Sequence, residues 1–335
     1  MKRIAIIGAG NWGTALAIMA ARSSHDVKIW SRNSQIVESI NHEHRNFKYL
    51  LDTVVPHGVS ATTNLSEAVK EAELAILAIP SHATRDVLLQ LLPALRPEML
   101  LVSATKGIEV ETGKRISEIV DDVLSKQFPP RFACLSGPSF AREVVENQPT
   151  AIVAASANMQ DCLLVQEQFT DQNLRIYTND DVVGTELGGA VKNVIAIAAG
   201  MVAGLGLGFN SIAALITRGL AEVTRLATRQ GARTETLMGL AGLGDLVLTC
   251  TGGLSRNRFV GAELGKGRRL VDICAGMNEI AEGVRTTDAV KRLAATLGLE
   301  MPITDEVYAV LYEHKPVSDA VRALMARPLR AETDR

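Results

Sequence analysis

In the run Glu186-Leu187-Gly188-Gly189-Ala190-Val191-Lys192-Asn193-Val194-Ile195, a lysine and an asparagine interrupt a helical pattern otherwise built of small and apolar residues. A buried ammonium is costly unless paired, and desolvation draws its pKa down toward the range useful for proton transfer. The competing reading is a lysine that snorkels to the surface from a core helix. Three other clusters hold polar residues in small or apolar surroundings: Ser103-Ala104-Thr105-Lys106-Gly107, Ser136-Gly137-Pro138-Ser139-Phe140-Ala141, and Gly242 to Thr249 followed by Gly252-Gly253-Leu254-Ser255-Arg256-Asn257-Arg258. The last suits an anion such as phosphate, with Arg256 supplying charge-assisted hydrogen bonds and Asn257 directing its amide. Asp245 either orients Lys192 or caps a helix. The stretch around Ser139 reads as a turn before a Ser-capped helix; its G-x-S-x-A pattern has no histidine partner in context.

The elements that must position these groups begin at the N-terminus. Ile4 to Ile7 is an apolar strand running into Gly8-Ala9-Gly10-Asn11-Trp12-Gly13, a G-x-G-x-x-G at the start of a helical stretch, Thr14 to Arg22. Gly8 permits a tight turn, Gly10 lets a pyrophosphate approach bare backbone, and Gly13 lets helix and strand pack closely. Further strand-like runs lie at Val27–Trp30, Leu74–Ile79, Leu100–Ser103, Phe132–Leu135 and Ala151–Ala155, with helical patterns at Leu65–Ala72, Thr84–Leu95 and Gly113–Leu124. Past about residue 184 the patterns are helical only: Glu186 to about Ala203, Ser211–Gln230, Thr234–Leu240, Asp288–Leu297 and Thr304–Glu313. The expected fold is an α/β N-terminal Rossmann-like doubly wound sheet, residues 1–184, plus an all-α C-terminal domain, residues 185–335. The second strand ends in Trp30-Ser31-Arg32-Asn33, without the acidic residue that accepts from ribose hydroxyls. A guanidinium there pairs with a 2′-phosphate, which favours NADPH and leaves NADH possible; the alternative is a solvated turn residue.

Hydride transfer to a ketone needs a proton donor, a hydrogen-bonding environment around the developing alkoxide, and an anchor for the rest of the substrate. Lys192, Lys106 with Asn193, and Arg256 with Asn257 match those needs in order. The chain has 35 Lys plus Arg against 37 Asp plus Glu and no long run of one sign, so neither nucleic acid nor an anionic membrane surface is implied. The N-terminus starts directly with a strand, and the longest apolar stretch, Val194–Leu205, is short and glycine-rich, so a cytoplasmic protein without membrane insertion is expected. Cys134, Cys162, Cys250 and Cys274 are irregularly spaced and read as buried thiols, and His42-Glu43-His44 lacks metal-ligand spacing, so no metal is expected.

Together, GAGNWGTALA, the turn at Trp30–Asn33, SATKGIE, SGPSFAREV, ELGGAVKNVIAIAAG and GLGDLVLTCTGGLSRNR resemble the bacterial NAD(P)-dependent glycerol-3-phosphate dehydrogenases, in the family's order from the N-terminus to about residue 315. The resemblance implies reversible reduction of dihydroxyacetone phosphate to sn-glycerol 3-phosphate, feeding glycerophospholipid synthesis, and a homodimer formed through the helical domain. It implies that Lys192 is the catalytic lysine and that Lys106, Gly137, Ser139, Asp245, Ser255, Arg256 and Asn257 contact substrate, with Thr249 lining the same site. Asn11, Trp12, Arg32, Lys106, Ala141, Arg256, Ile280 and Glu282 are implied as cofactor contacts. The segment Asn41–Pro56 receives no contact, and the tail Pro328–Arg335 is expected to fray. The rival readings are a two-domain NADPH-dependent ketoacid reductase and a non-catalytic NADPH-sensing protein of the same fold.

Overall fold

The structure, a computed structural model, describes residues 1–277, 281–329 and 331–332. Among the described residues, eight strands form one sheet: β1 (Arg3–Ile7), β2 (Asp26–Trp30), β3 (Val59–Thr62), β4 (Leu74–Leu77), β5 (Leu100–Ser103), β6 (Arg131–Ser136), β7 (Thr150–Ala155) and β8 (Leu174–Asn179). Their order is β3-β2-β1-β4-β5-β6-β7-β8. The first six strands run parallel, β7 pairs antiparallel with β6, and β8 follows β7 in parallel. The chain leaves β1 on one side to build β2 and β3, then returns to the other side to build β4, so the order reverses between β1 and β4. A crevice opens at the carboxyl ends of strands at such a reversal.

Apolar residues on both faces of the inner strands account for their burial. Ile4 and Ile6 pack with Leu16, Ile18 and Ala20 of helix Asn11–Arg22, whereas Ala5 and Ile7 face Val69, Leu88, Leu91 and Val120 on the opposite side. All four residues of β4 are buried, which is why it reads as a continuous apolar run. The two strands absent from the sequence reading are the edges. In β3 only Val59 is large and apolar, and β8 alternates buried Leu174 and Ile176 with exposed Arg175 and Tyr177. A half-exposed edge strand carries half the hydrophobic signal of a central one.

Helix Val182–Gly204 spans 23 residues. Asp181 caps it by accepting from Gly184 N (2.8 Å) and ties its start to the later helices by accepting from Arg233 N (2.8 Å). By length and mean hydropathy this helix reaches across a bilayer, a correction to the short stretch expected from Val194–Leu205, but 89% of its apolar window is buried within the protein. Helices Phe209–Arg229, Asp245–Thr251, Arg256–Gly265, Glu282–Thr296 and Pro302–Tyr312 pack around it. Helix Arg256–Gly265 comes closest: a Cβ on Gly200 would lie 2.0 Å from the Arg258 carbonyl oxygen, and one on Gly261 would lie 1.9 Å from that of Ile197. Glycine is required on both sides of this crossing because the backbones touch. Among the described residues, six helices had no clear signal in the sequence, two of them Asp245–Thr251 and Arg256–Gly265. These two are short and rich in glycine or polar residues, and both pack on the long helix.

Candidate active site

The glycine-rich turn lies at the reversal point. Gly8 has φ +120°, and a Cβ there would lie 2.4 Å from the Ala78 carbonyl oxygen; a Cβ on Gly13 would lie 1.9 Å from that of Gly8. No side chain fits either place. Gly10 caps helix Asn11–Arg22 without a side chain, so the N–H groups at its start face the crevice uncovered. Trp12 Nε1 is buried without a hydrogen-bond partner. Bare backbone, a helix N-terminus and an orphaned donor fit a dinucleotide pyrophosphate. At the end of β2, Ser31 N donates to Thr62 O (3.1 Å), Asn33 caps the next helix, and Arg32 is exposed between them.

A contribution the sequence reading did not assign comes from the segment Asn41–Pro56. The buried Asn46 donates through Nδ2 to Ala9 O (3.0 Å) and Thr14 Oγ1 (2.8 Å), and its Oδ1 accepts from Lys48 N and Tyr49 N. The segment is thereby pinned onto the glycine-rich turn. Tyr49 lies in the field of Arg256 and Arg32, although burial outweighs them and raises its pKa. No periodicity marks such a loop; only the tertiary contact reveals it.

Lys192 is 6% exposed and Asp245 is 1% exposed. Lys192 Nζ donates to Asp245 Oδ1 (2.5 Å) and to Thr249 Oγ1 (2.7 Å), and Thr249 Oγ1 donates to Asp245 O (2.6 Å). The other oxygen, Asp245 Oδ2, accepts from Lys106 Nζ (2.7 Å), which also donates to Gly137 O (3.0 Å). One carboxylate therefore joins a lysine of the sheet half to a lysine of the long helix. Burial lowers the Lys192 pKa to about 8; Lys106 adds to the fall and Asp245 opposes it. Burial pushes the Asp245 carboxyl up, but the two ammonium groups outweigh it and hold the group below its ordinary range. The pairing decides the earlier alternatives: Lys192 does not snorkel, and Asp245 binds both lysines as well as opening helix Asp245–Thr251.

A second layer adjoins this one. Asn257 Nδ2 donates to Asn193 Oδ1 (2.9 Å), and Asn257 Oδ1 accepts from Gly283 N (2.9 Å). Ser255 caps helix Arg256–Gly265 by accepting from Arg258 N (3.2 Å), which places Arg256 in its first turn. Burial lowers the Arg256 pKa, while Glu282 and Tyr49 oppose that effect. Ser139 Oγ donates to Gly137 O (3.0 Å), and the short helix Ala141–Val145 has Phe140 rather than Ser139 at its cap. Gly137 has φ +127° and lies against Ile152, so the turn after β6 closes tightly beneath Lys106. Ile280 lies outside the described residues. Among the described residues, no group of three or more His, Cys, Asp and Glu side chains is placed to hold a metal ion.

A dinucleotide turn at the reversal point of a doubly wound sheet, together with a buried lysine of lowered pKa that Asp245 joins to Lys106 of the sheet half, defines a nicotinamide-dependent oxidoreductase. Comparison with known proteins narrows the class. Residues 3–162 match the N-terminal family model of NAD-dependent glycerol-3-phosphate dehydrogenase, and residues 181–322 match its C-terminal model. The chain belongs to this family. It is similar to the glycerol-3-phosphate dehydrogenase (NAD(P)+) of Koribacter versatilis, 53% identical over 99% of both chains, and to that of Geobacter sulfurreducens, 50% identical over 99% of both. The crystal structure of glycerol-3-phosphate dehydrogenase from Coxiella burnetii superposes with a TM-score of 0.94 at 40% identity, covering 97% of this chain and 99% of that one.

Proposed function

We propose that the protein catalyses the reversible reduction of dihydroxyacetone phosphate to sn-glycerol 3-phosphate in the cytoplasm, with NADPH preferred over NADH, and so supplies glycerophospholipid synthesis. The observation that carries the mechanism is the Lys192–Asp245–Lys106 bridge. A nicotinamide held in the crevice would supply the hydride. Lys192, protonated, donates a proton to the alkoxide oxygen formed at the former ketone, and the neutral amine that remains is retained by Asp245 and Thr249. In the reverse direction the same amine accepts the hydroxyl proton. Lys106 and Asn193 stabilise the oxygen as charge develops on it. Arg256 and Asn257, with Ser255 setting their turn, anchor the phosphate, and Gly137 and Ser139 line the opposite wall. Asn11, Trp12, Arg32, Ala141 and Glu282 hold the cofactor, and Tyr49 joins them between Arg32 and Arg256.

In this reading residues 1–184 form the cofactor domain, and residues 185–335 form the substrate domain and the contact surface of a homodimer. Purified protein should oxidise NADPH when given dihydroxyacetone phosphate, but not unphosphorylated dihydroxyacetone or ketopantoate. Faster turnover of ketopantoate would replace the substrate, and cofactor binding without any ketone reduction would favour a sensor.

A further inference from the structure

The loop after β4 ends at the reversal point and carries Ser81, which is buried. Its hydroxyl donates to Glu282 Oε2 at 3.0 Å, joining residues 201 positions apart. Glu282 opens helix Glu282–Thr296 in the helical half. Lys106 stands in the loop after β5, and that loop is tied to the loop after β4 by Thr105 Oγ1, which donates to Ile79 O (2.8 Å). Gly107, the residue after Lys106, packs so closely that a Cβ on it would lie 2.6 Å from Ser81 Oγ and 3.2 Å from Glu282 Oε2. Ser81, Gly107 and Glu282 are thus in three-way contact across the two halves of the chain. From Glu282 the contacts continue through Gly283 N to Asn257 and on to Asn193, the neighbour of Lys192. Burial raises the Glu282 pKa, and the Ser81 hydrogen bond opposes that rise more than Arg256 or Arg285 does.

We infer that Ser81 is a positioning residue: its hydroxyl holds Glu282, and with it the first turn of helix Glu282–Thr296, at a set distance from the glycine-rich turn, so that the cofactor crevice closes with the correct width. The inference rests on the reading of Glu282 as a cofactor contact. Ser81 acts through Glu282 and is not among the hydrogen-bond partners of Lys192 or Asp245, so its loss should weaken cofactor binding and leave the proton-transfer step intact.

The test measures NADPH dissociation constants by calorimetry, together with kcat and melting temperature, for Ser81→Ala, Ser81→Cys, Glu282→Ala and Ser81→Ala/Glu282→Ala. Ser81→Cys keeps the side-chain size with a poor donor and serves if the alanine variant does not fold. The expected result is a rise of about ten-fold in the NADPH dissociation constant for either Ser81 variant, the scale of a hydrogen bond to a charged group. The kcat at saturation should stay within about three-fold, since general acid catalysis is worth far more than that. The double variant should bind no more weakly than Glu282→Ala, because both changes break one link. If Glu282→Ala weakens binding while neither Ser81 variant does, the positioning role is wrong and the cofactor reading of Glu282 stands. Unchanged binding in Glu282→Ala would remove that reading and this inference with it. A lowered melting temperature with unchanged affinity would make Ser81 purely structural and overturn the proposal.

Discussion

Lys192 holds its proton in an environment that disfavours the charge, and its chemistry follows from that balance. Lys192→Ala should lower turnover ~10²–10⁴-fold in steady-state assays while NADPH binding is kept, because the lost term is general acid catalysis. Near-normal turnover would move the proton donor elsewhere. The pH dependence has a defined sign. In the proposed mechanism ketone reduction consumes the ammonium form of Lys192, so its rate should fall as pH rises through about 8, and alcohol oxidation, which needs the free amine, should rise through the same value. A single profile shared by both directions would rule out Lys192 as the titrating group. Arg256→Ala should chiefly raise the KM for dihydroxyacetone phosphate, and an unchanged KM would sink the phosphate-anchor assignment. At this scale the residue types were informative, because a lysine in apolar sequence must be paired or neutral. Asn46 and Tyr49 were not legible, since an asparagine in a polar loop looks the same whether it faces water or a neighbouring turn.

Elements place these residues by contacts between backbones. Helix Val182–Gly204 carries Lys192 and meets helix Arg256–Gly265, which carries Arg256, at Gly200 and Gly261. Gly261→Ala adds one methyl group where no space exists and should destabilise the fold by roughly 1–3 kcal/mol or more in urea unfolding. Wild-type stability would mean that the two helices do not touch as described. A second element contact is electrostatic. The buried Glu222 of helix Phe209–Arg229 accepts from Ile303 N (2.6 Å), Thr304 N (3.2 Å) and Thr304 Oγ1 (3.2 Å), capping helix Pro302–Tyr312 from outside. Burial raises its pKa from 4.5 to about 7, above the value in the unfolded chain. Its titration therefore favours folding fully below about pH 4.5, and that contribution is lost as pH rises through about 7, an effect on the order of 3 kcal/mol. Relative to Glu222→Gln, the wild type should lose stability over this interval in unfolding curves taken at several pH values; a constant difference would show that Glu222 does not titrate there. Periodicity revealed the long helices, but the short ones beside them have too few turns to show a repeat.

The whole molecule brings the sheet half and the helical half together through buried polar links. One of these links is Glu186 at the start of the long helix, which accepts from Arg115 Nη1 (2.9 Å), Ser117 N (2.8 Å) and Ser117 Oγ (2.5 Å). Arg115→Ala strands a buried carboxylate and should cost about 3–5 kcal/mol, read as a lower melting temperature. A loss below about 1 kcal/mol would show that this seam is hydrated, as surface ion pairs are. The sequence by itself determined the local chemistry: the glycines that a tight turn requires, the apolar runs of the central strands, and the lysine that must be paired once buried. These follow from short-range sterics and solvation, which a few neighbouring residues set. Only the tertiary structure decided that Asp245 bridges Lys106 and Lys192, that Asn46 pins its loop to the glycine-rich turn, and that Ser81 meets Glu282. Those partners are 32 to 201 residues apart along the chain, and such pairings depend on how whole helices and sheets pack.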